Sequence, residues 1–261
     1  MRFSARPSVR SDSPRAAPSH PALVELVGPP GVGKSAVARA LRQSGDEGDE
    51  VLSTTRPRHA IGWGGLLRCA VTGAVRFAPQ FVRRPTRPGY RLSVLVQLLA
   101  HAELVRGWRG RGGIAVLDQG PVYLLSILQR ALRHDGRNSR LYLRYWNGTL
   151  QFWADALRMI VLLEATDDVL LTRMHERGTP HSYLAHGSEE ARRALSADRR
   201  SREDILNALK ERNPELRVLR FDSGADPPGV LAGRILEELA QVGSPTTGGS
   251  AHDPSGAGSR R

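Results

Sequence analysis

The chain has one cysteine, Cys69, in 261 residues. That excludes an internal disulfide framework and any zinc site built from several thiolates. The eight histidines are scattered and none falls in HxxxH or HExxH spacing, so no structural metal site is read. Lysine is nearly missing as well. Lys34 and Lys210 are the two lysines among 38 basic residues, which leaves 36 arginines against 26 acids and a formal charge of +12. An Arg-heavy, Ala/Gly/Pro-rich chain is what a GC-rich genome tends to produce, so the charge by itself identifies no partner. A lysine kept in such a chain is the more informative residue.

Long apolar runs are absent too. No stretch approaches the roughly 18 consecutive apolar residues of a spanning helix. The first residues, MRFSARPSVRSDSPRAAPSHP, lack the apolar h-region of a secretory signal, and their prolines forbid a continuous amphipathic helix. The expected location is the cytoplasm. Aromatic residues make up 5% of the chain and no recognised nucleic-acid module appears, so no specific nucleic-acid partner is read. The last lack is local. Residues 51–102 contain no Asp or Glu, against eight arginines: Arg56, Arg58, Arg68, Arg76, Arg83, Arg84, Arg87 and Arg91.

What is present is globular in proportion, 40% apolar and 25% charged. Residues 1–21 and 243–261 are Pro/Gly/Ser-rich without apolar periodicity and read as disordered tails around one domain, 22–242. Within it, apolar strand-like runs at 22–27, 51–55, 114–117, 159–163 and 217–221 alternate with helical patterns at 35–42, 61–82, 91–109, 121–133, 141–157, 166–177, 188–213 and 228–242. That alternation predicts an α/β fold, a parallel sheet flanked by helices.

The specific motif lies after the first strand. Gly28-Pro29-Pro30-Gly31-Val32-Gly33-Lys34-Ser35 is a full GxxxxGK[ST] Walker A sequence, with an apolar strand before it and a helix opening at Ser35-Ala36 after it. Glycines let successive backbone N–H groups converge on phosphate oxygens at the positive end of a helix. Lys34 would reach the β- and γ-phosphates, and the Ser35 hydroxyl would ligate Mg²⁺. The nucleotide contacts are expected over Gly28–Ala36. A planar guanidinium does not replace a compact ammonium in such a cradle, which explains a lysine kept there.

The reaction class is narrower than the fold. Lys210 follows Leu209, so the NKxD base motif of GTPases is missing, as is an LSGGQ signature. The third strand ends in Asp118-Gln119-Gly120-Pro121, a Walker B position. Asp118 would hold Mg²⁺ or accept a proton, unless it only caps the next helix. Motor-type ATPases usually place Glu after that aspartate. Gln119 points instead to transfer onto a bound acceptor. Beyond the fourth strand, Leu170-Leu171-Thr172-Arg173-Met174-His175-Glu176-Arg177-Gly178 sets Arg173 and Arg177 on one helix face.

With these elements the chain resembles the P-loop nucleoside and nucleotide kinases, in particular their thymidylate-kinase-like branch. The resemblance continues through ADRRSREDILNALKERNPELRVLRFDSG and, more faintly, Thr54-Thr55-Arg56-Pro57. It implies a P-loop NTPase fold of about five parallel strands, with Mg·ATP as donor. Arg173 and Arg177 would be lid arginines that neutralise transition-state charge. The acceptor side would be a helical lobe within 51–157, and the lid region would be 173–213. The chain departs from that family at Gln119, where the family has an arginine that grips an acceptor phosphate. No base-stacking aromatic is identified. Tyr123, Tyr142 and Trp146 are candidates, more often used in core packing.

The acid-free segment has three readings: an anionic small-molecule acceptor, a membrane surface touched through 61–84, or a solvated basic face. Trp63, Leu66, Leu67, Val71, Val75, Phe77 and Phe81 with the arginines would make an interfacial helix. The sequence thus leads to an ATP-dependent phosphotransferase with a small acceptor, with a homodimer as one allowed assembly. The alternative is a regulatory ATP-binding module acting on a protein or membrane partner.

Overall fold

The computed structural model describes residues 21–44, 51–54, 62, 64–72, 88–108, 113–133, 140–177 and 183–243. Much of the acid-free segment, residues 55–61, 63 and 73–87, lies outside the described residues, and with it Arg56, Arg58, Arg76, Arg83, Arg84, Arg87, Trp63 and Phe77. So do both tails apart from Pro21 and Gly243.

Five strands, β1 (Ala22–Val27), β2 (Val51–Thr54), β3 (Ile114–Asp118), β4 (Met159–Glu164) and β5 (Arg217–Asp222), form one sheet of order β2-β3-β1-β4-β5. Every pairing is parallel. The crossovers are α1 (Lys34–Ser44), α2 (described over 64–72), α3 (Pro88–Gly107), α4 (Pro121–Arg133), α5 (Arg140–Ala156), α6 (Asp167–Glu176) and α7 (Ser188–Arg212), and α8 (Pro228–Gly243) follows β5. The sequence-derived strands agree to within a residue. The expected helix over 61–82 is described only at 62 and 64–72, and that over 91–109 runs from Pro88 to Gly107. Thr166 is the N-cap of α6 rather than its first residue, its hydroxyl accepting from Val169 N.

The central strands are apolar almost throughout because both faces of the sheet are covered. Leu23, Val27, Ala115, Leu117, Ile160 and Leu162 point into a core with α3, α4, α5 and α7. Val24, Leu26, Val116, Val161 and Leu163 point into the opposite core with α1, α6 and α8. Burial of each such side chain contributes about 1.5–3 kcal/mol. Tyr123 and Trp146 are partly buried against the first core. They serve packing, as their apolar surroundings require. No described helix is long and apolar enough to cross a membrane.

This topology places the site. The chain leaves β1 with β3 on one side and β4 on the other, so the carboxyl end of β1 is where the order reverses. Open α/β sheets bind ligands in the crevice at such a point.

Candidate functional site

The glycine loop, residues 28–33, fills that position between β1 and α1. Its glycines have distinct physical reasons. A Cβ on Gly28 would sit 2.5 Å from the Leu163 carbonyl oxygen, so the loop lies flush against the end of β4. Gly33 has open space around it but a φ of +94°, a conformation other residues adopt only with strain. With these two turns made, α1 opens at Lys34 and presents its N-terminus to the crevice.

Lys34 Nζ donates to the carbonyls of Gly28 and Pro29, both at 2.9 Å. Its ammonium is pushed down to about 8 by burial, opposed by the Asp118 carboxylate and reinforced by Arg202 and Arg177. A cation so desolvated gains from any anion that reaches it. Ser35 Oγ donates to Asp118 Oδ2 at 2.8 Å, across 83 residues of chain. Asp118 is the last residue of β3, in register with Leu26 beside the loop. It is 3% exposed, and its Oδ1 has no hydrogen-bond partner among the described residues. An orphaned carboxylate oxygen beside a hydroxyl is an oxygen-only donor set that suits a hard divalent cation such as Mg²⁺. Among the described residues no group of three or more His, Cys, Asp or Glu could hold a metal by themselves. The remaining ligands would have to be phosphate oxygens and water, which is the way Mg²⁺ is usually bound.

Arg173 and Arg177 reach the same place. α6 runs back over the loop, and both arginines line a cavity of about 640 Å³ with Gly31, Gly33 and Ala36. Arg173 Nη2 donates to the Ser223 carbonyl at 3.2 Å, and Arg177, exposed, is close enough to depress Lys34. The far wall is the β5–α8 turn from Ser223 to Pro228. Asp222 Oδ1 shapes that turn by accepting from Gly224 N at 2.7 Å. Of the expected site residues, the structure brings the loop, Asp118, Arg173 and Arg177 together. Arg68 lies on α2, exposed, and is not part of this cluster.

Three features have no counterpart in the sequence reading. The first is the Ser223–Pro228 wall, legible there only as an aspartate turn. The second is Glu25, a carboxylic acid inside ALVELV. It sits fully buried on the α4 face of β1 and accepts from Val122 N at 2.9 Å and Tyr123 N at 3.3 Å. It thereby caps α4 from the strand behind, and Gly120 leaves room for it, since a Cβ there would lie 2.9 Å from Glu25 Cδ. The same close turn sets Gln119 at φ 61°, alone in positive φ among the described non-glycine residues. The signal was one acid in an otherwise apolar strand. The third is Arg202. In α7 the buried residues Ala191, Leu195, Asp198, Arg202, Ile205 and Leu209 make a helical stripe with two charges in it.

Glu25 carries a pH prediction. Burial raises its carboxyl from 4.5 to about 8, more than the backbone N–H groups of α4 lower it, and the nearby Asp118 charge adds to the rise. The folded protein therefore keeps this proton up to about pH 8, while the unfolded chain releases it near 4.5. Its contribution to stability is complete below pH 4.5 and is lost as the pH rises towards 8. The slope is at most about 1.4 kcal/mol per pH unit. In denaturant melts, wild type should lose stability relative to Glu25→Gln as the pH rises towards 8. A wild-type curve parallel to that of Glu25→Gln between pH 5 and 8 would refute it.

The sheet order, the glycine loop closing on β4 and the Ser35–Asp118 contact together define a P-loop NTPase fold. No protein-family model matches the chain, and no curated protein matches it by sequence. Among solved structures, the chain is similar to deoxyadenosine kinase from M. mycoides with bound dATP, at 12% identity and a TM-score of 0.49. The same enzyme with bound dCTP is similar at 11% identity and a TM-score of 0.45. Each comparison covers 84% of this chain and 99% of the other.

Proposed function

We propose that the protein transfers the γ-phosphoryl group of Mg·ATP to a small, anionic acceptor. The observation that carries this reading is the Ser35–Asp118 hydrogen bond beside the loop, which joins a hydroxyl and a buried carboxylate in a donor pair that suits Mg²⁺. In this reading Gly28–Ala36 cradle the phosphates and Lys34 lies against the β- and γ-phosphates. Ser35 and Asp118 would hold Mg²⁺, which when bound would neutralise phosphate charge. Arg173 and Arg177 close over the triphosphate from α6, and the 640 Å³ cavity between them and the Ser223–Pro228 turn takes the base.

The bond from the γ-phosphorus to the β,γ-bridging oxygen breaks as an acceptor oxygen bonds to that phosphorus, leaving ADP. Gln119 in place of a carboxylate disfavours activation of water, so a bound acceptor is the expected nucleophile. Residues 22–242 form the kinase-like unit, with the acceptor lobe within 51–157 and the lid over 173–213. The acid-free arginines favour an anionic acceptor.

A screen of a metabolite extract for ATP-dependent phosphorylation tests this directly. The purified protein is expected to turn over little ATP alone and much more with one fraction of the extract. Strong turnover that no fraction increases would count against transfer.

One observation favours a second reading, a regulatory ATP-binding module with a membrane partner. Leu67 and Val71 are 66% and 54% exposed on α2, either side of Arg68. Liposome co-sedimentation that is lost when Arg83 and Arg84 are replaced, with no acceptor found, would support that module.

A further inference from the structure

Arg202 is a second buried cation at the glycine loop. Its side chain is 4% exposed, and its one ion pair among the described residues, to Asp198 Oδ2, is long at 3.8 Å. Asp198 is already engaged by Arg130 from α4 and by the Tyr183 hydroxyl. Among the described residues the Arg202 guanidinium has no hydrogen-bond partner. A guanidinium so little exposed gains from an anion that meets its N–H donors. The guanidinium is lowered to about 10 by burial, with Arg199 and Arg130 adding to the effect and the Glu203 and Glu164 carboxylates opposing it.

Its position indicates which anion. Arg202 lines a small pocket with Pro29 of the loop, Leu162 and Leu163 at the end of β4, and the charged side chains of Glu164, Arg199 and Glu203. Lys34 donates to the Pro29 carbonyl, and Arg202 in turn depresses the Lys34 ammonium, so the two cations share the Gly28–Pro29 end of the loop. The large cavity opens at the other end, on Gly31–Val37 and the 223–228 turn. A nucleotide with its base in that cavity directs its last phosphate towards Lys34, Pro29 and Arg202.

We infer that Arg202 binds the terminal phosphoryl group of the nucleotide and makes the site prefer a triphosphate to a diphosphate. This rests on the reading of Gly28–Ser35 as a phosphate site. A guanidinium fork suits a phosphoryl group because two parallel N–H groups meet two of its oxygens.

Calorimetric titration of the full chain with MgADP and with magnesium β,γ-imido-ATP tests it, using wild type, Arg202→Gln and Arg202→Lys. Wild type should bind the triphosphate analogue more tightly than MgADP. Arg202→Gln should bind the analogue about tenfold to a hundredfold more weakly, the worth of a charge-assisted hydrogen bond, with MgADP affinity unchanged. Arg202→Lys keeps the charge without the fork and should show a smaller loss, again for the triphosphate alone. It carries the test if Arg202→Gln does not fold. Equal losses for both nucleotides, or none for the triphosphate, would overturn the inference. A wild type that binds neither nucleotide, indistinguishable from Lys34→Met, would overturn the phosphate site and the inference with it.

Discussion

Lys34→Met is expected to abolish the thermal stabilisation that Mg·ATP should give the protein, while the melting temperature without nucleotide should stay close to that of wild type. Two opposing changes explain the second half. The substitution removes the hydrogen bonds to Gly28 and Pro29, and it also removes a buried ammonium depressed to about 8 beside Arg202 and Arg177. Methionine fills similar space without charge, so loss and relief offset each other. Nucleotide binding has no such offset, since nothing else on α1 supplies a compact cation to the phosphates. At a nucleotide concentration one hundred times Kd, wild type should gain about 2.7 kcal/mol. In a domain of this size that is a rise of about 5–10 °C. Differential scanning fluorimetry with and without Mg·ATP measures both halves. An unchanged shift in Lys34→Met would refute the assignment of the loop.

Asp118→Asn is expected to lower acceptor phosphorylation by about a hundredfold or more, a loss of roughly 3 kcal/mol. It should also remove the dependence of nucleotide affinity on Mg²⁺. The amide keeps the shape of the carboxylate and can still accept from Ser35 Oγ, so the 2.8 Å contact survives the change. What disappears is the charge on a side chain 3% exposed, where no solvent screens it. Titration of nucleotide with and without Mg²⁺ separates this from a folding defect, because a merely destabilised variant would lose affinity in both conditions. Retention of wild-type Mg²⁺ dependence would leave Asp118 only its hydrogen bond to Ser35. Asp118 also disfavours the charged form of Glu25 on the neighbouring strand, so the variant should lessen the pH-dependent stability loss described above.

The sheet was legible because its signal is local. Ala22–Val27, Met159–Glu164 and Ile114–Asp118 are short apolar runs bounded by turn residues, and parallel strands buried on both faces have no other way to read. The glycine loop was legible for the same reason, since its chemistry is carried by eight consecutive residues. The long helix α7 was visible in outline, yet its two stripe charges, Asp198 and Arg202, were not singled out. Helical spacing shows that a residue faces inward, but not that the inward side is the glycine loop. Glu25 shows the same limit. An acid in an apolar strand marks an exception, and only the packing of α4 on β1 reveals that the exception is a helix cap beneath Gly120.

By itself the sequence determined the α/β alternation, the phosphate loop with its retained lysine, and an aspartate at the end of the third strand. Each depends on neighbours in the chain, so each is written within a few residues. Tertiary structure alone decided that Asp118 meets Ser35, that Arg173 and the Ser223 turn line one cavity, and that Arg202 and Pro29 line another. These contacts join residues tens of positions apart. They exist because a parallel sheet with its order reversed at β1 brings the carboxyl ends of β1, β3, β4 and β5 to one edge.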